Sequence, residues 1–167
     1  MTKSLDIVKS LLDKDGSCRD LNFEAPTWEG VKKLLNSLEG DFKEISGTDQ
    51  EGKTLTAPYS ESDIAEAQKG GYVHFSLKSG RGLIKNLQVF ICPEDDGAPF
   101  IELTFFPEDV EQTNSIQSEF IAWVQKQQSL LEARRYYARY ENASWHFGDI
   151  GEHSGVFLVS DDVKKNS

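Results

Sequence analysis

The sequence is poor in the residues that hold metals and build nucleophilic sites. Its 167 residues include only 2 cysteines, 3 histidines and 1 methionine. Cys18 and Cys92 do not form a CxxC pair, which excludes a zinc ribbon or a thioredoxin-like redox couple, and with no export signal they read as reduced core thiols. Long apolar runs are also missing. No stretch approaches the roughly 20 residues that cross a bilayer. The amino end, Met1 to Leu5, lacks the apolar core of a signal peptide, so residence in the cytoplasm is expected. Positive charge is short as well: 18 Lys plus Arg face 28 Asp plus Glu, a net charge of −10. A field of that sign repels phosphate backbones, which argues against direct nucleic-acid binding and favours a basic partner. The same acidity also keeps a chain soluble.

What is present is a substantial core. Hydrophobic residues make up 38% and aromatics 11% of the chain, too much for a disordered segment. The length suits one domain over residues 1–160, followed by a charged, frayed tail over 161–167. No linker, repeat or low-complexity stretch interrupts it.

Periodicity predicts an α+β fold. Leu5 to Lys14 carries apolar residues at helical spacing and stops at Asp15-Gly16. A short strand is expected over Arg19 to Glu24. Thr27 precedes a second helix whose stripe is Trp28, Val31, Leu34, Leu35 and Leu38, ending near Gly40. Phe42 and Ile45 open a β region that turns through 47–52 and returns over Lys53 to Ala57. A short helix over Asp63 to Lys69 is expected to end at Gly70-Gly71. Strict alternation then marks strands over 72–79, 85–92 and 100–106, with reversals at Ser79-Gly80-Arg81-Gly82 and in the 93–99 loop. A longer helix is expected over Ser115 to Leu131, followed by extended segments at 134–140, 143–147 and 156–159. The result is an antiparallel meander with helices packed on one face.

Chemistry is harder to find. His146 and His153 flank a reversal with Asp149 and Glu152, a minimal ligand set better read as surface loop residues. There is no GxSxG elbow, and Cys92 near His74 on a neighbouring strand lacks an oxyanion hole. The Gly-rich turns lead to no helix amino end, so they lack the dipole and amide fan of a phosphate loop. No calcium loop or glycosidase pair is readable among the acids. No catalytic residue, metal or cofactor is therefore assigned. Arg134 to Tyr140 interleaves arginine with tyrosine. That pattern can stack on bases, but in so acidic a chain it reads as rings covering the sheet with arginines paired to carboxylates.

Trp28, Leu38-Glu39-Gly40, Gly70-Gly71-Tyr72-Val73 and Trp145 follow one another in an order that resembles small immunity proteins of bacterial polymorphic-toxin systems, the group associated with deaminase toxins. The resemblance covers about half the chain. It lacks a counterpart of that family's second Gly-rich segment, and the helix around Phe120 and Trp123 is longer. It implies a non-catalytic inhibitor, monomeric or homodimeric, that binds the basic domain of a cognate nuclease or deaminase toxin and occludes its active site. The toxin-binding surface is then expected on acidic loops: Asp49 and Glu51, Glu94, Asp95 and Asp96, and Glu108 and Asp109. Two alternatives stand beside it. One is an adaptor or chaperone-like interaction protein. The other is a small enzyme or ligand-binding domain with a pocket between sheet and helix, using His74, Arg135 and Tyr137.

Overall fold

The computed structural model describes residues 6–55, 64–65, 69, 71–141 and 155–160. The first two helices begin at side chains that cap them. In α1 (Ile7–Leu12) the Asp6 carboxylate accepts from the Lys9 amide, and in α2 (Trp28–Asp41) Thr27 accepts from the Gly30 amide, satisfying donors that a helix start otherwise leaves open. The third helix, α3 (Ile116–Leu131), buries Ile116, Phe120, Val124, Gln127 and Leu131 on one stripe. It ends at Glu132, whose φ of 55° places a non-glycine residue in the left-handed region, a conformation that costs on the order of 1 kcal/mol.

Among the described residues, eight strands form one sheet: β1 (Arg19–Glu24), β2 (Phe42–Asp49), β3 (Thr54–Leu55), β4 (Val73–Gly80), β5 (Leu87–Pro93), β6 (Pro99–Phe105), β7 (Arg135–Tyr140) and β8 (Val156–Val159). Their order is β3-β2-β4-β5-β6-β1-β7-β8, and every pairing is antiparallel. The expected α+β class with a β4-β5-β6 meander is the fold found. Alternation sends Val73, Phe75 and Leu77, then Leu87, Val89 and Ile91, then Ile101, Leu103 and Phe105 into one buried cluster with Val31, Leu34, Phe120 and Val124 of the helices.

Two features depart from the sequence expectations. The β4–β5 connection is longer than a tight turn. Gly80 N–H donates to Lys85 O and Lys85 N–H to Asp109 O, and Ile84 bridges to Val110, so β5 starts at Leu87. The chain's first strand, β1, also sits deep in the sheet, between β6 and β7. β1 is buried on both faces except at Glu24, and β8 is buried throughout. Of the expected 63–69 helix, Ile64 and Ala65 are helical. The rest of it, the 143–147 segment and the 161–167 tail lie outside the described residues. Among the described residues no helix is long and apolar enough to cross a membrane.

Candidate protein-binding face

The helices cover one face of the sheet, and alternation sends a different set of side chains to the other. On β4, β5 and β6 this second face pairs His74 with Phe90, Phe90 with Glu102 and Gln88 with Thr104. It is half-buried rather than packed. Tyr72, just before β4, stacks on Phe90 with ring centroids 5.0 Å apart and planes at 27°. Phe100 pairs with Cys92, which places it diagonally from Phe90 on the same face, within reach of an aromatic side chain. Tyr72 and Phe106 are the large hydrophobic residues left exposed among those described, Tyr72 at 38%.

Towards β1 and β7 the same face closes over charge. Arg139 Nε donates to Asn22 Oδ1 at 2.8 Å, and Asn22 Nδ2 donates to Glu102 Oε2 at 2.9 Å. The Arg139 guanidinium lies 3.6 Å from Asp20 and 3.5 Å from Glu102, and Thr104 Oγ1 donates to Asp20 at 2.7 Å. One cation thus serves two carboxylates across three strands. Burial pushes the Glu102 carboxyl above its ordinary range and the Asp20 charge adds to the rise, while Asn22 and Arg139 oppose it. The arrangement is a satisfied network and offers no free acid or base.

That shift carries a sign. A carboxyl whose folded pKa lies above its unfolded one binds more protons when folded, so its contribution to stability falls as pH rises through the interval between the two values. Denaturant midpoints measured across that interval are expected to fall less with rising pH in Glu102→Gln than in the wild type. Equal slopes for the two proteins would remove the effect.

The arginine–tyrosine segment resolves as its alternation suggests. Tyr136, Ala138 and Tyr140 join the core side. Arg135 and Arg134 lie near Glu24, at 3.4 and 4.0 Å. Tyr137 is fully buried with Val156 and Val159. The proposed pocket trio is not assembled: His74 lies on β4 and Arg135 and Tyr137 on β7, four strand positions apart, or about 19 Å at the usual spacing. Cys18 and Cys92 are not activated thiols. Burial, then Asp20 and Glu141, raise Cys18 to about 12. Burial and then Glu94 raise Cys92. Among the described residues no group of three His, Cys, Asp or Glu converges to hold a metal. His146 and His153 lie outside them.

The acidic loops fall into two places. Asp49 ends β2 opposite Val73, and Val73 pairs with Ile91. The β2–β3 turn with Asp49 and Glu51 and the β5–β6 turn with Glu94, Asp95 and Asp96 therefore share one end of the sheet. Only β4 lies between their strands, a lateral separation of about 10 Å. Asp49 Oδ1 accepts from the amides of Glu51 and Lys53, and Asp96 Oδ1 from that of Ala98, so both turns are internally braced. Trp28 Nε1 donates to Gly97 O at 2.8 Å, tying the second turn to α2. Glu108 and Asp109 sit in a 3-10 turn after β6, at the opposite end. There Asn86 Nδ2 donates to Asp109, and Lys85 pairs with Glu111 at 2.8 Å.

The backbone is similar to one chain of the 1.75 Å crystal structure of the toxic C-terminal tip of CdiA from Pseudomonas aeruginosa in complex with its immune protein. The TM-score is 0.64 at 16% identity, over 87% of this chain and 95% of that one. The likeness is one of fold. No protein-family model matches the sequence, and no curated protein matches it. Of the residues that carry the sequence resemblance, Trp28 opens α2, Gly40 lies in its last turn, Tyr72 leads into β4, and Trp145 falls outside the described residues.

Sequence reasoning missed two things here: the Tyr72–Phe90 stack and the network around Arg139. The first had a visible signal, because Phe90 and Phe100 are aromatics on the wrong phase of apolar strands. The second had none, since its partners come from three separate segments.

Proposed function

We propose that this chain is an immunity protein that binds one cognate bacterial toxin domain of nuclease or deaminase type and neutralises it by occluding its active site. The observation that carries this reading is the fold shared almost end to end with a chain of a solved toxin–immune protein complex. The net charge of −10 supports it. Toxins that act on nucleic acids present basic clefts, and acidic side chains can occupy the positions of phosphates and speed association. The acidic loops at 49–51, 94–96 and 108–109 are the groups offered for that purpose. On this reading the chain acts in the cytoplasm, as a non-catalytic binding domain over residues 1–160.

The test is co-expression with the protein encoded by the reading frame next to this chain's gene, once that protein is shown to arrest growth by itself. Growth restored by this chain, with the two proteins co-purifying, is the expected result. Growth arrest that persists with soluble chain present, or rescue without a complex, would overturn the reading.

A further inference from the structure

We propose that the toxin docks on the uncovered sheet face at the end shared by the β2–β3 and β5–β6 turns, with Tyr72 and Phe90 at the centre and the turn carboxylates as a rim that takes lysines and arginines. This assignment rests on the immunity reading above and narrows it to one surface.

Three observations select this end. The first is apolar. Tyr72 is exposed at 38%, yet held against Phe90 in a stack, and a tyrosine fixed before binding loses little freedom on contact. Tyrosine is also among the residues enriched at contact hot spots. The second is charge. The two turns, residues 49–53 and 94–98, bring Asp49, Glu51, Glu94, Asp95 and Asp96 together with only Lys53 as a cation. At the opposite end, Lys85 and Asn86 already engage Glu111 and Asp109. The third is access. Beyond β6 the same face is closed, with Asp20 and Asn22 at 5% and 3% exposure and Tyr137 at 0%. Among the described residues, a partner approaching the face opposite the helices therefore meets β4, β5 and β6 rather than β1 and β7.

Charge complementarity also decides the occupant. A second copy of this chain would place the acidic rim against itself in a two-fold contact, where the same patch meets its twin. Nucleic acid would meet carboxylates with phosphates. A basic protein surface with an apolar centre meets neither penalty.

The experiment measures binding to the purified toxic domain that the co-expression test identifies, at low and high salt, with thermal melts to show that each variant folds. Tyr72→Ala is expected to weaken binding about 30-fold, mostly through faster dissociation, as hot-spot truncations do. The triple variant Glu94→Gln, Asp95→Asn, Asp96→Asn is expected to slow association about tenfold at low salt and to flatten its salt dependence. Glu111→Gln, at the far end, should bind as the wild type does. If the wild type binds toxin and both acidic-end variants stay within twofold of it, the surface is wrong while the immunity function stands. If the wild type binds no toxin, function and surface fall together. A wild-type dimer that Tyr72→Ala dissolves would make this face a self-contact and overturn the assignment.

Discussion

Arg19→Met is expected to destabilise the fold by about 3 kcal/mol or more, because it leaves several backbone carbonyls without donors at about 1–3 kcal/mol for each that is buried. The side chain is 0% exposed, and its donors organise the whole α1–β1 connection. Nε donates to Ser10 O at 2.7 Å and one terminal nitrogen to Asp13 O at 2.9 Å. The other reaches Ser17 O at 3.0 Å, Ser17 Oγ at 2.8 Å and Asp15 at 3.3 Å. The guanidinium also lies 4.0 Å above the Tyr140 ring. Methionine fills a similar volume but leaves these carbonyls without donors. Arg19→Lys keeps the charge and loses the planar fork that reaches them together, so it should recover only part of the loss. Urea denaturation measures all three proteins. A lysine variant as stable as wild type would mean that charge alone matters at this position.

The second large effect lies between α2 and α3. A Cβ at Gly30 would sit 2.2 Å from Leu131 O and 2.4 Å from its carbonyl carbon. Those are backbone atoms, and the same carbonyl accepts from Thr27 N–H at 3.1 Å. Gly30→Ala gains about 1 kcal/mol of helix propensity. Against that, forcing the helices apart costs about 1–3 kcal/mol of packing, or more, and about 1 kcal/mol for the lost hydrogen bond. A net loss of about 1–3 kcal/mol, or more, is expected. Gly40→Ala, in the same helix, meets nothing within 4 Å and should be neutral or stabilising by up to about 1 kcal/mol. Paired denaturation curves decide the point: two alanines with equal effects would mean that the close helix approach carries no weight.

Much of this architecture was legible from the residues, and the parts that were not share a cause. The alternation of Val73 to Leu77, Leu87 to Ile91 and Ile101 to Phe105 marks both the strands and their buried face, because a half-buried strand repeats every two residues. Thr27 and the Val31–Leu38 stripe mark α2 in the same local way. The position of β1 between β6 and β7 was not legible, because strand order depends on contacts between distant segments. The Arg139 network is similar: Asn22 lies 117 residues away from Arg139 and Glu102 lies 37 away. Of the candidate site, the acidic turns were visible as composition. That two of them meet at one end, and that the 108–109 turn lies at the other, follows from register alone. Tyr72 was readable as part of an alternating strand, but its role as an exposed ring braced by Phe90 required both strands to be in place.

As an immunity protein that occludes its toxin's active site, this chain would silence the toxin stoichiometrically, one molecule to one. Titrating the chain into the purified toxic domain that it protects against, at concentrations well above the dissociation constant and with cleavage or deamination of nucleic acid as the readout, tests that most directly. Activity is predicted to fall linearly and reach zero at one equivalent. Full activity in the presence of excess chain would contradict binding at the active site. Complete loss at a small fraction of an equivalent would show instead that the chain turns over and acts as an enzyme.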